Sequence, residues 1–446
     1  MDPFKNALSF LDDISSYLSP ADKPYLARLK NPNHVHKDIL QVSMDDGSKK
    51  DFPAFRSQHN NALGPYKGGI RFHPGVTEAE IKALSLWMSL KCSIAGLPYG
   101  GSKGGVIVDP KKLSKSELES LSRAYARFLA PHIGEHVDVP APDVNTNPQI
   151  MAYLLDEYEK VIGHHAPGAF TGKPLILGGS MGRDKATGYG GVLALKFLIE
   201  KLKSKHSGGS QTAPLHKAPS SDTPTWYMKP ISQITVAVQG FGNVGYFFAK
   251  IASEQGFRVV AVSDSKGATY LETGLDPVAT MECKRQKGSL AGCYCKGGVC
   301  DLKGGTMMSN EDLLQLPVDI LVPSALENVI TKDNTSKIKA SVIVEMANGP
   351  ITSEADHLLT SKNVLIIPDI YANSGGVSVS YFEWVQNLMG YYWTEEEVDE
   401  KLEALMKTSF NKMFKRSEEG TISLRKAAYL VAVERIIEAE RMRRPL

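Results

Sequence analysis

A strand, a glycine-rich turn and a helix follow one another without interruption between residues 234 and 252, and few folds accommodate that succession. Ile-Thr-Val-Ala-Val-Gln239 is a β-branched run leading directly into Gly240-Phe241-Gly242-Asn243-Val244-Gly245, after which Tyr-Phe-Phe-Ala-Lys-Ile-Ala252 reads as helix. In this context Gly240 permits a tight turn, Gly242 lets the backbone approach a pyrophosphate, Gly245 lets helix and strand pack closely, and the helix amino terminus attracts negative charge. A glycine turn that binds nothing has the same local pattern. Here a second strand, Arg258-Val-Val-Ala-Val-Ser-Asp264, follows and sets an acid 24 positions after Gly240, the spacing of a carboxylate that bonds an adenosine ribose. Asp264 suits the free ribose hydroxyl of NAD, whereas Ser265 and Lys266 suit the extra phosphate of NADP, so both dinucleotides stay open.

Further β-branched runs at Val318–Pro323, Ser341–Met346 and Val364–Pro368 predict buried parallel strands. They lead into Pro323-Ser-Ala325, Met346-Ala-Asn348 and Ile370-Tyr-Ala-Asn373. Short polar residues at such carboxyl ends are where ligands sit in open α/β sheets.

The 446 residues exceed one compact core and suit about two domains. With 42% hydrophobic and 22% charged residues, the composition is that of a globular chain and excludes disordered or fibrous classes. A net charge of +2 leaves no field to neutralise a run of phosphates, so no nucleic-acid partner is expected. No apolar run reaches the roughly 18 residues of a membrane span, so no membrane partner is expected either. The amino terminus lacks a basic segment followed by an apolar block, and Asp12 and Asp13 oppose a transit peptide. A cytoplasmic chain is expected.

In the first half, Thr77-Glu-Ala-Glu80 and Ser114-Lys-Ser-Glu117 have capping-box spacing and mark helix starts. At 100° per residue, Ile81, Leu84, Met88 and Lys91 share one stripe, with Lys82, Ser89 and Ser93 on another face. Lys91 on an apolar stripe must either snorkel to water or meet an anion. Tyr66-Lys67-Gly-Gly and Gly-Gly-Ser-Lys103-Gly-Gly put two more lysines in glycine-rich settings. Each alone reads as a solvated turn lysine, but Lys103 precedes a strand, which favours a positioned group. Clustered lysines depress one another's pKa. Asp143 lies ahead of Asn147, a helix cap, and Pro148 at the first helical position. Spacing leaves open whether it is a catalytic carboxylate or a turn-forming aspartate bonded to its own backbone.

Taken together, Lys67-Gly-Gly-Ile-Arg-Phe, Leu97-Pro-Tyr-Gly-Gly-Ser-Lys103-Gly-Gly, Pro140-Ala-Pro-Asp143-Val-Asn-Thr, Phe170-Thr-Gly-Lys-Pro, Arg183-Asp-Lys-Ala-Thr187-Gly and Asn373-Ser-Gly-Gly-Val-Ser-Val-Ser380 resemble the glutamate/leucine/phenylalanine/valine dehydrogenase family in their order along nearly the whole chain. The resemblance implies a two-domain α/β fold: an N-terminal α/β substrate domain and a Rossmann-type dinucleotide-binding domain. The first is expected at 1–183 plus 421–446 and the second at 184–420, with insertions at about 204–232 and 283–305. The resemblance also implies a hexamer. It casts Lys103 and Asp143 as the catalytic pair and Lys91 as the holder of the substrate α-carboxylate. Lys67 and Ser380 would receive the side-chain carboxylate of glutamate-specific members, in a site lined by Gly68, Ala141 and Val377. Thr187, Gly240, Phe241, Gly242, Asn243, Val244, Gly245, Asp264, Ser265, Ala325, Asn348 and Asn373 would contact NAD or NADP. The activity implied is reversible deamination of L-glutamate to 2-oxoglutarate and ammonia. Members acting on aliphatic amino acids place an apolar residue at the position of Lys67. A catalytically silent binding subunit would not need both Lys103 and Asp143.

Two segments depart from the family pattern. Ser204–Ser232 is rich in Ser, Pro, Gly and Thr and reads as a surface insertion. Cys283, Cys293, Cys295 and Cys300 lack the repeated two-residue gap of common zinc modules. They are expected as reduced surface thiols, with a metal knuckle and a redox disulfide as alternatives; no metal site is assigned.

Overall fold

The computed structural model describes residues 3–207, 226–297, 299–300 and 305–444. The chain forms two compact units. The first contains Met1–Arg183, Val377–Lys401 and Tyr429–Leu446; the second contains Asp184–Gly376 and Leu402–Ala428.

In the first unit, β1 (His34–Ser43), β2 (Lys49–Asn60), β3 (Tyr66–Phe72), β4 (Gly101–Val106) and β5 (Asp138–Pro142) form one sheet in the order β1-β2-β4-β3-β5. β3 runs parallel to both β4 and β5, while β2 is antiparallel to β1 and β4. Side chains alternate between faces along a strand, and β4 shows both. A Cβ on Gly104 would meet the Tyr125 hydroxyl of helix Lys115–Leu129, whereas one on Gly101 would stand 2.2 Å from Ser89 N of helix Glu78–Ile94. One helical layer therefore covers each face. The core beside Tyr125 contains Phe52, Ile70, Phe72, Leu121, Leu129, Met151 and Leu154.

Helix Glu78–Ile94 is buried on more than its apolar stripe. Ser85, Ser89 and Ser93 are buried as well. Their hydroxyls meet Ser57 Oγ at 2.9 Å, His59 Nδ1 at 2.8 Å and Ala432 O at 2.7 Å. Both expected helix starts form, with a difference between them. Ser114 and Glu117 make the full reciprocal box. Thr77 accepts from Glu80 N, but the Glu80 carboxylate turns to Arg71 instead.

The last segments of the chain complete this unit. Trp87 Nε1 donates to the Tyr429 hydroxyl at 3.2 Å, and Asn60 Nδ2 donates to Glu440 Oε1 at 2.8 Å. Val377–Lys401, placed by the sequence reading in the second domain, packs here. Its Glu383 is fully buried, 2.8 Å from Lys173 Nζ, and accepts from Gly172 N at 2.7 Å. A buried carboxylate so paired fixes the segment in place.

The second unit is built on a seven-stranded sheet. β6 (Thr235–Gln239), β7 (Arg258–Asp264), β8 (Gly267–Tyr270), β11 (Thr306–Met308), β12 (Ile320–Pro323), β13 (Val342–Val344) and β14 (Leu365–Ile367) take the order β11-β8-β7-β6-β12-β13-β14. The separate pair β9 (Cys295–Lys296) and β10 (Val299–Cys300) forms a small antiparallel hairpin. β7, β6, β12, β13 and β14 are mutually parallel. Each of the five β-branched runs forms a strand; Arg258–Asp264 keeps its full length, and the other four are trimmed at one or both ends. The chain leaves β6 for β7 on one side and later returns to β12 on the other, so the carboxyl end of β6 is the switch point of a doubly wound sheet.

Of the Ser204–Ser232 stretch, 208–225 lies outside the described residues; before it, helix Ala186–Ser207 continues through the first four positions. The expectation of reduced surface thiols is corrected. Cys283, Cys293 and Cys295 are buried. The four sulfurs join as Cys283–Cys293 and Cys295–Cys300, because the hairpin sets Cys300 opposite Cys295 and the preceding helix brings in Cys283. Among the described residues no helix is long and apolar enough to cross a membrane.

Candidate active site and dinucleotide site

The β3–β4 register decides which side chains share a face. Ile70 pairs with Gly104 and Arg71 with Gly105, so by alternation Lys67, Gly69, Arg71 and Lys103 all point to the face covered by helix Glu78–Ile94. That helix carries Lys91. Three lysines are therefore buried in this layer, with Lys67 1%, Lys103 4% and Lys91 8% exposed. Gly68 is required for the strands to approach, since a Cβ there would lie 1.5 Å from Ser102 O.

Asp143 follows β5 directly. Its carboxylate Oδ2 lies 2.7 Å from Lys103 Nζ and 3.0 Å from Arg71 Nε. The turn is closed by others: Asp143 N donates to Thr146 Oγ1 at 2.8 Å, and Thr146 Oγ1 donates to Ile70 O at 2.9 Å. The side chain is thus free of backbone duty and aimed at the lysine. Burial pushes the Asp143 carboxyl up, but Lys103 and Arg71 outweigh it and hold the group well below the usual carboxylate range. Burial pulls the Lys103 ammonium below its ordinary value, Arg71 adds to this, and Asp143 opposes it.

Lys67 donates to Val139 O at 3.0 Å. Burial lowers its pKa to about 7, with Arg183 and Arg56 contributing and Cys92 and Glu383 opposing. Arg183 connects this lysine to the carboxyl-terminal part of the chain, because its Nε donates to Ser380 Oγ at 3.0 Å. Lys67 and Ser380 accordingly belong to the same unit. Ala141, paired with Gly69, and Val377 are both buried. Thr171 Oγ1 is a buried hydroxyl without a hydrogen-bond partner.

The opposite face anchors the strands. Arg56 and Asp138 are fully buried. Arg56 Nε donates to Asp138 Oδ2 at 2.9 Å, Ser102 Oγ donates to Asp138 Oδ1 at 2.7 Å, and Arg56 Nη1 donates to Gly68 O at 3.2 Å. This network fixes β2, β3, β4 and β5 directly behind Lys103.

In the second unit, the three glycines at the end of β6 have distinct geometries. Gly240 takes φ +93° and lies against Ala325. A Cβ on Gly245 would stand 2.0 Å from Gly240 O, while one on Gly242 would meet nothing within 4 Å. The open position is the one next to helix Asn243–Glu254, where a phosphate would meet free N–H groups. Phe241 is buried, Val244 is half-buried, and Asn243 Nδ2 donates to Asp184 O at 3.1 Å. Thr187 stands in the first turn of helix Ala186–Ser207. Asn373 Nδ2 donates to Asn348 Oδ1 at 3.1 Å, and Asn373 Oδ1 is a buried acceptor without a partner. These features fit a dinucleotide: open backbone at the turn and unmet polar capacity beyond the strand ends.

Asp264 is more committed than the sequence suggests. Its carboxylate accepts from Lys266 N at 2.9 Å and Leu290 N at 3.1 Å, with Lys284 Nζ at 3.6 Å, while Ser265 beside it is exposed.

Residues 32–160 match the Glu/Leu/Phe/Val dehydrogenase dimerisation domain, and 225–444 match the Glutamate/Leucine/Phenylalanine/Valine dehydrogenase domain. The chain is 46% identical to the NADP-specific glutamate dehydrogenase A1 of Halobacterium salinarum, over 98% of this chain and 97% of that one. The chain belongs to the Glu/Leu/Phe/Val dehydrogenase family. The NAD-specific glutamate dehydrogenase of Staphylococcus aureus is 43% identical over 93% of this chain and 92% of its own. The fold of this family member also superposes on the hetero-hexameric glutamate dehydrogenase of Thermus thermophilus in its Leu-bound form. That match has a TM-score of 0.86 and 35% identity, covering 99% and 97% of the two chains.

Arg71, Arg183 and Glu383 were not singled out from the sequence of this dehydrogenase. Arg71 carried a usable signal, because it lies four positions after Lys67 on the same strand face. Nothing local marked Glu383 as a buried partner.

Proposed function

We propose that this chain is a glutamate dehydrogenase, converting L-glutamate reversibly to 2-oxoglutarate and ammonia with NAD or NADP. The observation that carries the reading is Lys103 Nζ held 2.7 Å from Asp143 Oδ2, on the same sheet face as the buried cation Lys67. In this reading Lys91 binds the substrate α-carboxylate. Lys67 and Ser380 bind the side-chain carboxylate, with Gly68, Ala141 and Val377 as walls. A buried ammonium there rejects an aliphatic side chain, which would leave the charge unpaired.

The dinucleotide supplies the hydride acceptor for the substrate α-carbon. Lys103, its pKa lowered by burial, exchanges a proton with the water that attacks the resulting iminium. As an ammonium it stabilises negative charge developing on the carbinolamine oxygen. Asp143 relays protons to and from Lys103. Gly240–Gly245 receive the pyrophosphate and Asp264 with Ser265 the adenosine ribose, while Thr187, Ala325, Asn348 and Asn373 complete the dinucleotide site. The enzyme assembles as a hexamer in the cytoplasm, an assembly that light scattering reads as six chains of 48.6 kDa.

The test follows nicotinamide absorbance with glutamate, leucine and phenylalanine, each with NAD and with NADP. Turnover confined to glutamate is expected. Faster turnover of leucine or phenylalanine, or none of any substrate, overturns the reading. Gly242→Val separates binding from folding: its melting temperature stays at the wild-type value while dinucleotide affinity falls at least about tenfold. Gly245→Val, with no room against Gly240 O, yields little folded protein.

A further inference from the structure

The proposed reaction makes no use of Cys283, Cys293, Cys295 and Cys300, yet these residues converge. Cys283 lies in helix Pro277–Lys287, and Cys295 and Cys300 face each other across the β9–β10 hairpin. The sulfurs of Cys283, Cys295 and Cys300 lie within 4.8 Å of one another, and that of Cys293 is joined to Cys283. Four sulfurs thus occupy one cluster, three of them on buried residues and Cys300 at the surface. A tetrahedral zinc tetrathiolate, with Zn–S of about 2.3 Å, separates its sulfurs by about 3.8 Å, inside the span observed. Cys295-x4-Cys300 has the spacing of a zinc-binding hairpin. Such a centre carries two negative charges, and within residues 277–300 Lys284, Arg285, Lys287 and Lys296 outnumber the acid Glu282, with Asp276 and Asp301 flanking the segment.

The cluster is also wired to the dinucleotide site. Between Cys283 and Cys293, Lys284 Nζ donates to Phe241 O at 2.8 Å and Leu290 N donates to Asp264 Oδ2 at 3.1 Å. Leu290 O accepts from Thr269 Oγ1 at 3.0 Å, and Asp276 N donates to Cys295 O at 2.7 Å. A chain segment clamped at both ends by the cysteines therefore reaches the glycine turn and the ribose carboxylate.

We propose that the four cysteines bind one zinc ion as a tetrathiolate, and that this centre positions the Lys284–Leu290 segment against Asp264 and the Gly240–Gly245 turn, tuning dinucleotide affinity. Four thiols release four protons as zinc binds. The two disulfides are the four-electron-oxidised form of the same site, and two equivalents of a dithiol reductant, each giving two electrons and two protons as it closes to its own disulfide, return them to thiols. The positioning role rests on the dinucleotide site proposed above; zinc binding itself does not.

The test uses the full chain produced in zinc-supplemented medium and purified with a phosphine reductant and no chelator. Metal content by mass spectrometry is expected at about one zinc per chain, with five thiols titrating after denaturation in chelator, matching the five cysteines. Cobalt in place of zinc should give the intense visible bands of a tetrahedral thiolate site. Cys293→Ser combined with Cys300→Ser should lose the metal, and Cys92→Ser should keep it. Stripping zinc from the unsubstituted protein should weaken reduced-dinucleotide binding, followed by its fluorescence, about tenfold. Absence of zinc overturns the proposal, whether five thiols titrate or only one. Zinc present with unchanged dinucleotide affinity after stripping overturns the positioning role. Neither result depends on glutamate turnover, so failure here is distinguishable from failure of the dehydrogenase assignment.

Discussion

Lys103→Met is expected to lower kcat for glutamate by at least about 1,000-fold while leaving dinucleotide affinity near the wild-type value. The substitution keeps the length of the side chain and removes its charge and its proton. Lys103 and Asp143 belong to the first unit and the glycine turn proposed to hold the pyrophosphate belongs to the second, so dinucleotide affinity is expected to stay near the wild-type value. The expected effect is large because in the proposed mechanism one group serves two purposes: proton exchange with the attacking water and stabilisation of the oxygen anion. Asp143→Asn should remove the relay alone and fall less far. Stopped-flow turnover together with equilibrium binding of the reduced dinucleotide measures both quantities. Wild-type-like turnover in Lys103→Met would sink the catalytic assignment.

Lys67→Leu is expected to act on specificity, reducing kcat/KM for glutamate by about 1,000- to 10,000-fold and improving the use of leucine. A site built around a buried cation rejects a substrate without a matching carboxylate, and removing the cation reverses the preference. The same change removes the cost of a buried ammonium but leaves Val139 O without its donor, opposing effects of about 1–3 kcal/mol each, so stability should shift by less than about 2 kcal/mol. Burial lowers the folded pKa of Lys67 from 10.5 to about 7. Between those values the unfolded chain holds a proton that the folded chain lacks, so this group's contribution to stability improves as pH rises through that window. Below about 7 its full desolvation cost is present. KM for glutamate should rise above the same pH in the unsubstituted enzyme, and Lys67→Leu should abolish that dependence. Substrate profiles and thermal melts at several pH values test all three points. Unchanged glutamate specificity would remove Lys67 from the side-chain site.

The sheet of the second unit was legible because each of its parallel strands is covered on both faces and so appears as an uninterrupted β-branched run. Lys91 was legible for the opposite reason, as a cation on an apolar stripe. Lys67 and Lys103 needed more: their common face follows only from the register of β3 on β4, which a single sequence does not contain. Asp143 was ambiguous because the residue that closes its turn is Thr146, a substitution of roles that spacing cannot reveal. Glu80 reads as half of a capping box, and its carboxylate goes to Arg71 because that guanidinium is drawn toward Asp143 and offers a stronger partner than one backbone N–H. The cysteines were misread because compartment and spacing carry no information on burial, whereas the hairpin and the preceding helix bury three of them. The return of Val377–Lys401 to the first unit was hidden in Glu383, a charge whose burial depends on Lys173, more than 200 residues earlier.

The first unit draws on three stretches of chain, the last of which begins at Tyr429. Synthesis proceeds from the amino terminus, so the sheet β1–β5 leaves the ribosome long before Tyr429 and Glu440 are available to Trp87 and Asn60. At typical elongation speeds the interval from Arg183 to Tyr429 is on the order of ten to fifty seconds. During that time the part of helix Glu78–Ile94 that Tyr429 and Ala432 cover, beside helix Pro3–Ile14, lacks its permanent partner. The nascent protein should therefore engage chaperones for most of its translation, and premature termination anywhere before residue 429 should produce an insoluble product, even where every catalytic side chain has already been made.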